Sequence, residues 1–191
     1  MSMLDEKDKE QALLRKILSG DIIAMKEFYD NYSGYLTTVC SRYISNRDDI
    51  KDVLQESFIK IFKSISRFTY KGVGSLKAWS SRIVVNESLK FLKENERLNI
   101  INSPVWDLPD ISDEAEADFE EIPASAILEM IRALPVGYRT VFNLYIFEEK
   151  SHKEIASILN ITENTSASQL HRAKSFLAKQ INEYRSKIMK S

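Results

Sequence analysis

Residues 151–177, SHKEIASILNITENTSASQLHRAKSFL, decide how this chain is read. Ser151 followed three positions later by Glu154 is the pattern of a capping box, in which each side chain accepts from the other's free backbone N–H at the start of a helix. Ile155, Ala156 and Leu159 then recur at helical spacing and point inward. Asn160 tolerates the left-handed turn conformation, Ile161 packs beneath it, and Thr162 caps a second helix. Two helices joined by so short a turn, with small Ala156 at their crossing, make a helix-turn-helix. On the second helix Ser166, Leu170, Ala173 and Leu177 face the core, leaving Asn164, Thr165, Ser168, His171, Arg172 and Ser175 outward. Short hydrogen-bonding side chains around one arginine suit a major-groove reader, and an ordinary helical hairpin with a polar face has the same composition. His171 is better placed as a base or phosphate contact than as a metal ligand, since no other ligand type lies one turn away.

The rest of the chain agrees with a helical reading. Only five glycines and four prolines interrupt 191 residues, far fewer than a turn-rich all-β fold needs, and 43% apolar content is enough for one or two cores. No apolar run approaches the ~20 residues of a membrane span, and the N-terminus MSMLDEKDKEQ does not read as a signal peptide, so the expectation is a cytoplasmic protein without membrane insertion. A single cysteine, Cys40, excludes an intramolecular disulfide and is read as a small buried apolar residue, and two histidines are too few for a zinc site. No nucleophilic triad, Cys/His pair or phosphate-cradling glycine motif is present, so neither an enzyme nor a cofactor is expected.

Charge divides the chain. The formal net charge is −1, yet residues 1–97 hold 17 basic against 14 acidic side chains, residues 98–131 hold none against nine, and residues 132–191 hold ten against five. Within the first block the excess is basic only beyond residue 59. Two basic surfaces suit a polyanion, or are solvated faces. The strip between them carries Pro104, Pro109 and Pro123 and the run DEAEADFEE (113–121), which reads as a linker of mutually repelling acids. Domains are therefore expected over 1–97 and 123–191, joined by 98–122.

Two further helices are legible in the first domain. In 47–65 the stripe Ile50, Leu54, Phe58, Ile61 and Ile65, with Val53 at its edge, is core, and the opposite face collects Asp52, Gln55, Glu56 and Ile59. An isoleucine among acids is either a chance exposure or a protein contact steered by charge. In 75–97 Ser75 is read as the N-cap, and Ala78, Val84, Val85, Leu89, Phe91 and Leu92 as the buried face. The other face carries Trp79, Arg82, Asn86, Lys90, Lys93 and Arg97, which offers a stacking ring, an amide for a base edge and cations for phosphates. The competing reading has Trp79 capping the core. The loop before it, FTYKGVG (68–74), either holds an unstacked base or packs Phe68 beneath itself.

Two segments, in this order and separation, resemble the extracytoplasmic-function (ECF) sigma factors of the sigma-70 family, the promoter-reading subunits of bacterial RNA polymerase. Region 2 resembles residues 19–97 through GDIIAMKEFYDNY, DIKDVLQESFIKIF and LKAWSSRIVVNESLKFLK, and region 4 resembles 124–184 through LPVGYRTVFNLYIFEEKSHKEIASILNITENTSASQLHRAK, about 140 residues together. The resemblance implies an all-α chain of two small domains, a region 2 bundle and a region 4 helix-turn-helix, joined by the acidic linker. It implies that Asp52, Gln55, Glu56 and Ile59 dock on the clamp coiled coil of the polymerase largest subunit. It also implies that the loop from Phe68 to Ser75, with Tyr70 and Lys71, captures a flipped minus-ten base beside Asn86, and that Ala167, Ser168, Gln169, His171 and Arg172, next to Thr165, meet the minus-thirty-five element. Partners would be core polymerase, promoter DNA and an anti-sigma factor of the kind members often have.

The chain departs from the family pattern in places. Its loop after Phe68 is about two residues longer, Ala167 and Gln169 replace residues often basic, Ser166 stands where valine is usual, and Lys150 replaces a common glycine. The alternative function is a stand-alone helix-turn-helix regulator acting as a homodimer, for which Ala178 to Met189 offers a short and polar heptad.

Overall fold

The computed structural model describes residues 3–95 and 122–188, and among them the fold is all-α. The helices are α1 (Met3–Leu18), α2 (Ile22–Ser41), α3 (Arg47–Ser64), α4 (Ser75–Glu94), α5 (Ala124–Ala133), α6 (Val136–Ile146), α7 (His152–Leu159) and α8 (Glu163–Ile188). The chain forms two compact units, Met1–Phe91 and Leu92–Ser191. The acidic run 113–121 and Arg97 lie outside the described residues. Among those described, no helix is long and apolar enough to cross a membrane.

In the first unit, short polar side chains start the helices. Asp21 accepts from the N–H groups of Ile23 and Ala24 at the head of α2, and Asn46 does the same for Asp48 and Asp49 at the head of α3. The core centres on fully buried Phe28, whose ring contacts Tyr32, Phe58 and Phe62. Leu36, Val39, Cys40, Tyr43, Ile44 and Ile61 are likewise fully buried. Truncating a ring such as Phe28 to alanine costs ~3–5 kcal/mol. Helix α4 is tied to α3 by the Lys60–Glu87 ion pair at 2.6 Å, and to α2 by Ser88 Oγ at 3.6 Å from Cys40 Sγ.

The inward faces differ in detail from the periodicity. Ala78 is exposed, and α4 instead buries Leu76, Ser80, Ser81, Val84, Val85, Ser88 and Leu92. Each of these serines donates its hydroxyl to the carbonyl four residues earlier, so no donor is stranded and a small side chain fills a close helix approach. Ser57 does the same on α3, where Leu54 is only half-buried and Ile50, Val53, Ser57, Phe58 and Ile61 make up the buried face. Ser75 opens α4 as its first residue, and its hydroxyl accepts from the Lys71 N–H.

In the second unit, α8 is the spine on which α5, α6 and α7 pack. Pro135 holds Leu134 extended, which ends α5 and starts α6. Ile131, Leu144, Ile155, Ala173, Leu177 and Ile181 fill the space between the helices. Gln180 Nε2 donates to the Met130 carbonyl at 3.2 Å, fastening the second half of α8 to α5.

Candidate nucleic-acid interface

The helix-turn-helix is built locally, as its sequence requires. Ser151 Oγ accepts from the Glu154 N–H, and Glu154 Oε2 accepts from the Ser151 N–H at 2.9 Å, completing the capping box. That backbone bond, then Lys150 and the Ser151 hydroxyl, hold the Glu154 carboxyl at about 2. Asn160 adopts φ 55 and ψ 50, and Thr162 Oγ accepts from the Thr165 N–H at 3.0 Å to start α8. Ser166 is fully buried with its Oγ 2.9 Å from His152 Nδ1, and Tyr145 stacks on the same imidazole with centroids 4.9 Å apart. A valine could not make that bond, so serine at 166 is a matched substitution for this crossing.

Five of the six residues expected at the upstream element share one surface. Ala167, Ser168 and His171 are exposed, and Thr165 and Arg172 are half-buried at its edge. Gln169 is the exception, and its expected contact is corrected: it is buried, 6% exposed, because it lies three residues after Ser166 and four before Ala173 on the inward stripe.

On α4, Arg82, Asn86, Lys90 and Lys93 are exposed in one row. Trp79 heads it half-buried, with its ring 5.2 Å from that of Phe68, so each ring packs on the other and keeps an edge toward solvent. Along the loop Lys71 is exposed, whereas Tyr70 turns inward with its hydroxyl buried. Gly72 and Gly74 take φ of 131° and 81°, values open to glycine at no steric cost. On α3, Asp52, Gln55, Glu56 and Ile59 are all exposed on one face, with Ile59 at 39%.

Two family profiles match this arrangement. The one described as Sigma-70 region 2 covers residues 28–98, and the one described as Sigma-70, region 4 covers 124–177. The chain belongs to the ECF branch of the sigma-70 family. An ECF RNA polymerase sigma-E factor of Haemophilus influenzae is 28% identical over 182 residues, 90% of this chain and 95% of that protein. RNA polymerase sigma factor SigV of Bacillus subtilis is 28% identical over 131 residues, 69% and 75% of the two chains, and ECF RNA polymerase sigma factor SigW of the same organism is 24% identical over 180, 89% and 95%. Among solved structures, CnrH in complex with the cytosolic domain of CnrY aligns over 90% of this chain and 96% of that one, with a TM-score of 0.47 and 18% identity.

This sigma factor uses residues that its sequence did not announce. Glu10 on α1 is buried, and its two carboxylate oxygens accept from the Gly74 N–H at 3.1 Å and from the Tyr32 hydroxyl at 3.4 Å. Burial, then Glu10 and Tyr70, push the Tyr32 phenol up to about 12. In region 4, Glu149 just ahead of the helix-turn-helix takes a left-handed φ of 52, one residue before the lysine that replaces the family's glycine. His152, read only as part of a helix start, is the pivot between Tyr145 and Ser166.

Proposed function

We propose that this sigma factor directs core RNA polymerase to specific promoters and begins strand opening there, with no catalysis of its own. Residues 1–97 and 123–191 act as separate domains, joined by the acidic linker 98–122. Asp52, Gln55 and Glu56 steer a basic surface of the core enzyme, and Ile59 supplies the burial that charge alone does not provide. The downstream strand crosses α4, with Arg82, Lys90 and Lys93 on its phosphates, Asn86 on a base edge, and the Phe68–Trp79 pair and Lys71 beside the unstacked base. Thr165, Ala167, Ser168, His171 and Arg172 face the upstream duplex, while Gln169 supports the helix from within.

The observation that carries this reading is the pairing on one small unit of an exposed acidic patch with Ile59 on α3 and an exposed basic row with Asn86 on α4. A duplex-reading regulator needs neither. The homodimer alternative is also poorly served by α8, whose Leu177, Ala178 and Ile181 are already buried within the region 4 unit. The protein works in the cytoplasm, where its polymerase partner is, and an anti-sigma factor covering these same surfaces would silence it.

The test is gel filtration of the purified chain with core polymerase. Co-elution supports the proposal; a chain that elutes apart from core and shifts duplex DNA as a dimer supports the regulator.

A further inference from the structure

We infer that Glu10 is a positioning residue for promoter opening: from α1 it fixes the 68–75 loop in the shape that receives an unstacked base. The inference rests on the reading of that loop given above. The loop closes on itself through Ser75 N–H to the Gly72 carbonyl at 3.1 Å and Lys71 N–H to Ser75 Oγ at 3.2 Å. Those bonds shape the turn without fastening it to the bundle. The first half of the loop is held by Phe68 on Trp79 and by the inward-turned Tyr70, whereas its two positive-φ glycines have nothing within 4 Å of where a Cβ would stand. The bond from Gly74 to Glu10, spanning 64 residues of sequence, fastens that second half to α1.

Chemistry favours a carboxylate at this point. The Gly74 carbonyl accepts from Ala78 N–H at 2.9 Å, which makes Gly74 the entry to α4, where free N–H groups and the helix dipole attract negative charge. Charge-assisted bonds to a carboxylate are stronger than neutral ones. Glu10 is only 9% exposed, so its charge has left water, and Gly74 N–H and the Tyr32 hydroxyl compensate one oxygen each. One side chain thereby sets both the loop and the first turn of the helix that carries Trp79, Arg82 and Asn86.

The experiment compares wild type, Glu10→Ala and Glu10→Gln, each assembled with core polymerase, by permanganate reactivity of promoter thymines on a duplex and on a pre-melted bubble. Glutamine keeps an acceptor for Gly74 and can donate to the Tyr32 oxygen. Glu10→Ala should bind core normally yet open the duplex at least about tenfold less, the low end of what one hydrogen bond to a charged group supports. The bubble should restore it to near wild type, Glu10→Gln should stay near wild type on both templates, and hydrogen exchange in Glu10→Ala should rise in the loop and not along α3. Duplex opening by Glu10→Ala equal to wild type overturns the inference alone, as does a loss that the bubble fails to restore while core is still bound. A wild-type holoenzyme that leaves the thymines unreactive overturns the reading of the loop, and the inference with it.

Discussion

His152 Nδ1 and Ser166 Oγ meet at 2.9 Å where α7 crosses α8, joining the first residue of one helix to a fully buried residue of the next. Ser166→Ala keeps the volume nearly constant and removes only this partner. Because His152 is half-buried and can turn partly to water, the expected loss is ~0.5–1.5 kcal/mol. Hydrogen-exchange mass spectrometry of the full chain should show protection falling along 151–177 and unchanged along 47–94. Unchanged protection along α7 and α8 would make the contact energetically idle.

Two residues with positive φ have opposite expectations. Glu149 bears the Cβ penalty of the left-handed region, ~1–2 kcal/mol for an L-residue, so Glu149→Gly should stabilise region 4 by up to about 1 kcal/mol after the added flexibility of the unfolded chain is counted. Gly74→Ala enters open space and still meets φ 81, so region 2 should lose about 1–2 kcal/mol for backbone reasons alone. Exchange protection in each unit reads both effects.

Cys40 is wholly buried, and burial pushes its thiol up to about 11, against a smaller opposing pull from the Ser88 hydroxyl. It should resist a disulfide reagent at about pH 8 in the folded chain and react fully in urea, since the thiolate is the nucleophile. The unfolded thiol ionises first, from its ordinary 9.0, so the contribution to stability is complete below that pH and is lost as pH rises toward 11. Tyr32, raised from 10.0 to about 12, acts in the same direction slightly higher. Thermal melts across this range should show region 2 weakening from about pH 9 upward.

Arg172→Ala should weaken upstream-element binding by about 1–3 kcal/mol. If Arg172 reads a base, preference relaxes at one position; if it holds a phosphate, binding weakens evenly and the salt slope falls by about one. No change in either quantity on polymerase-bound promoter would remove Arg172 from the interface.

What the sequence made legible was local. The capping box at Ser151, the left-handed Asn160 and the Thr162 cap each act within four residues, and so α7 begins and ends, and α8 begins, where their letters indicate. The exposed rows on α3 and α4 follow from a 100° step along charged residues and were readable for the same reason. Serines 57, 80, 81 and 88 were not, because a hydropathy reading treats as polar a hydroxyl that each helix satisfies by itself. Gln169 was placed outward by family resemblance although the Ser166/Ala173 stripe already placed it inward. Glu10 left no local signal, since its partner lies 64 residues away.

Reversal of Asp52 and Glu56 probes the polymerase-dependent role, since both carboxylates are exposed and lie on the side of α3 away from the buried Ile50, Phe58 and Ile61. Transcription of fragmented genomic DNA is mapped with core polymerase alone, with the wild-type chain added, and with an Asp52→Lys, Glu56→Lys chain whose circular dichroism is unchanged. Start sites sharing one pair of upstream elements should appear with the wild-type chain only, and thymines there should become permanganate-reactive. Identical start sites with and without the chain, or full activity of the charge-reversed variant, would contradict the polymerase-dependent role.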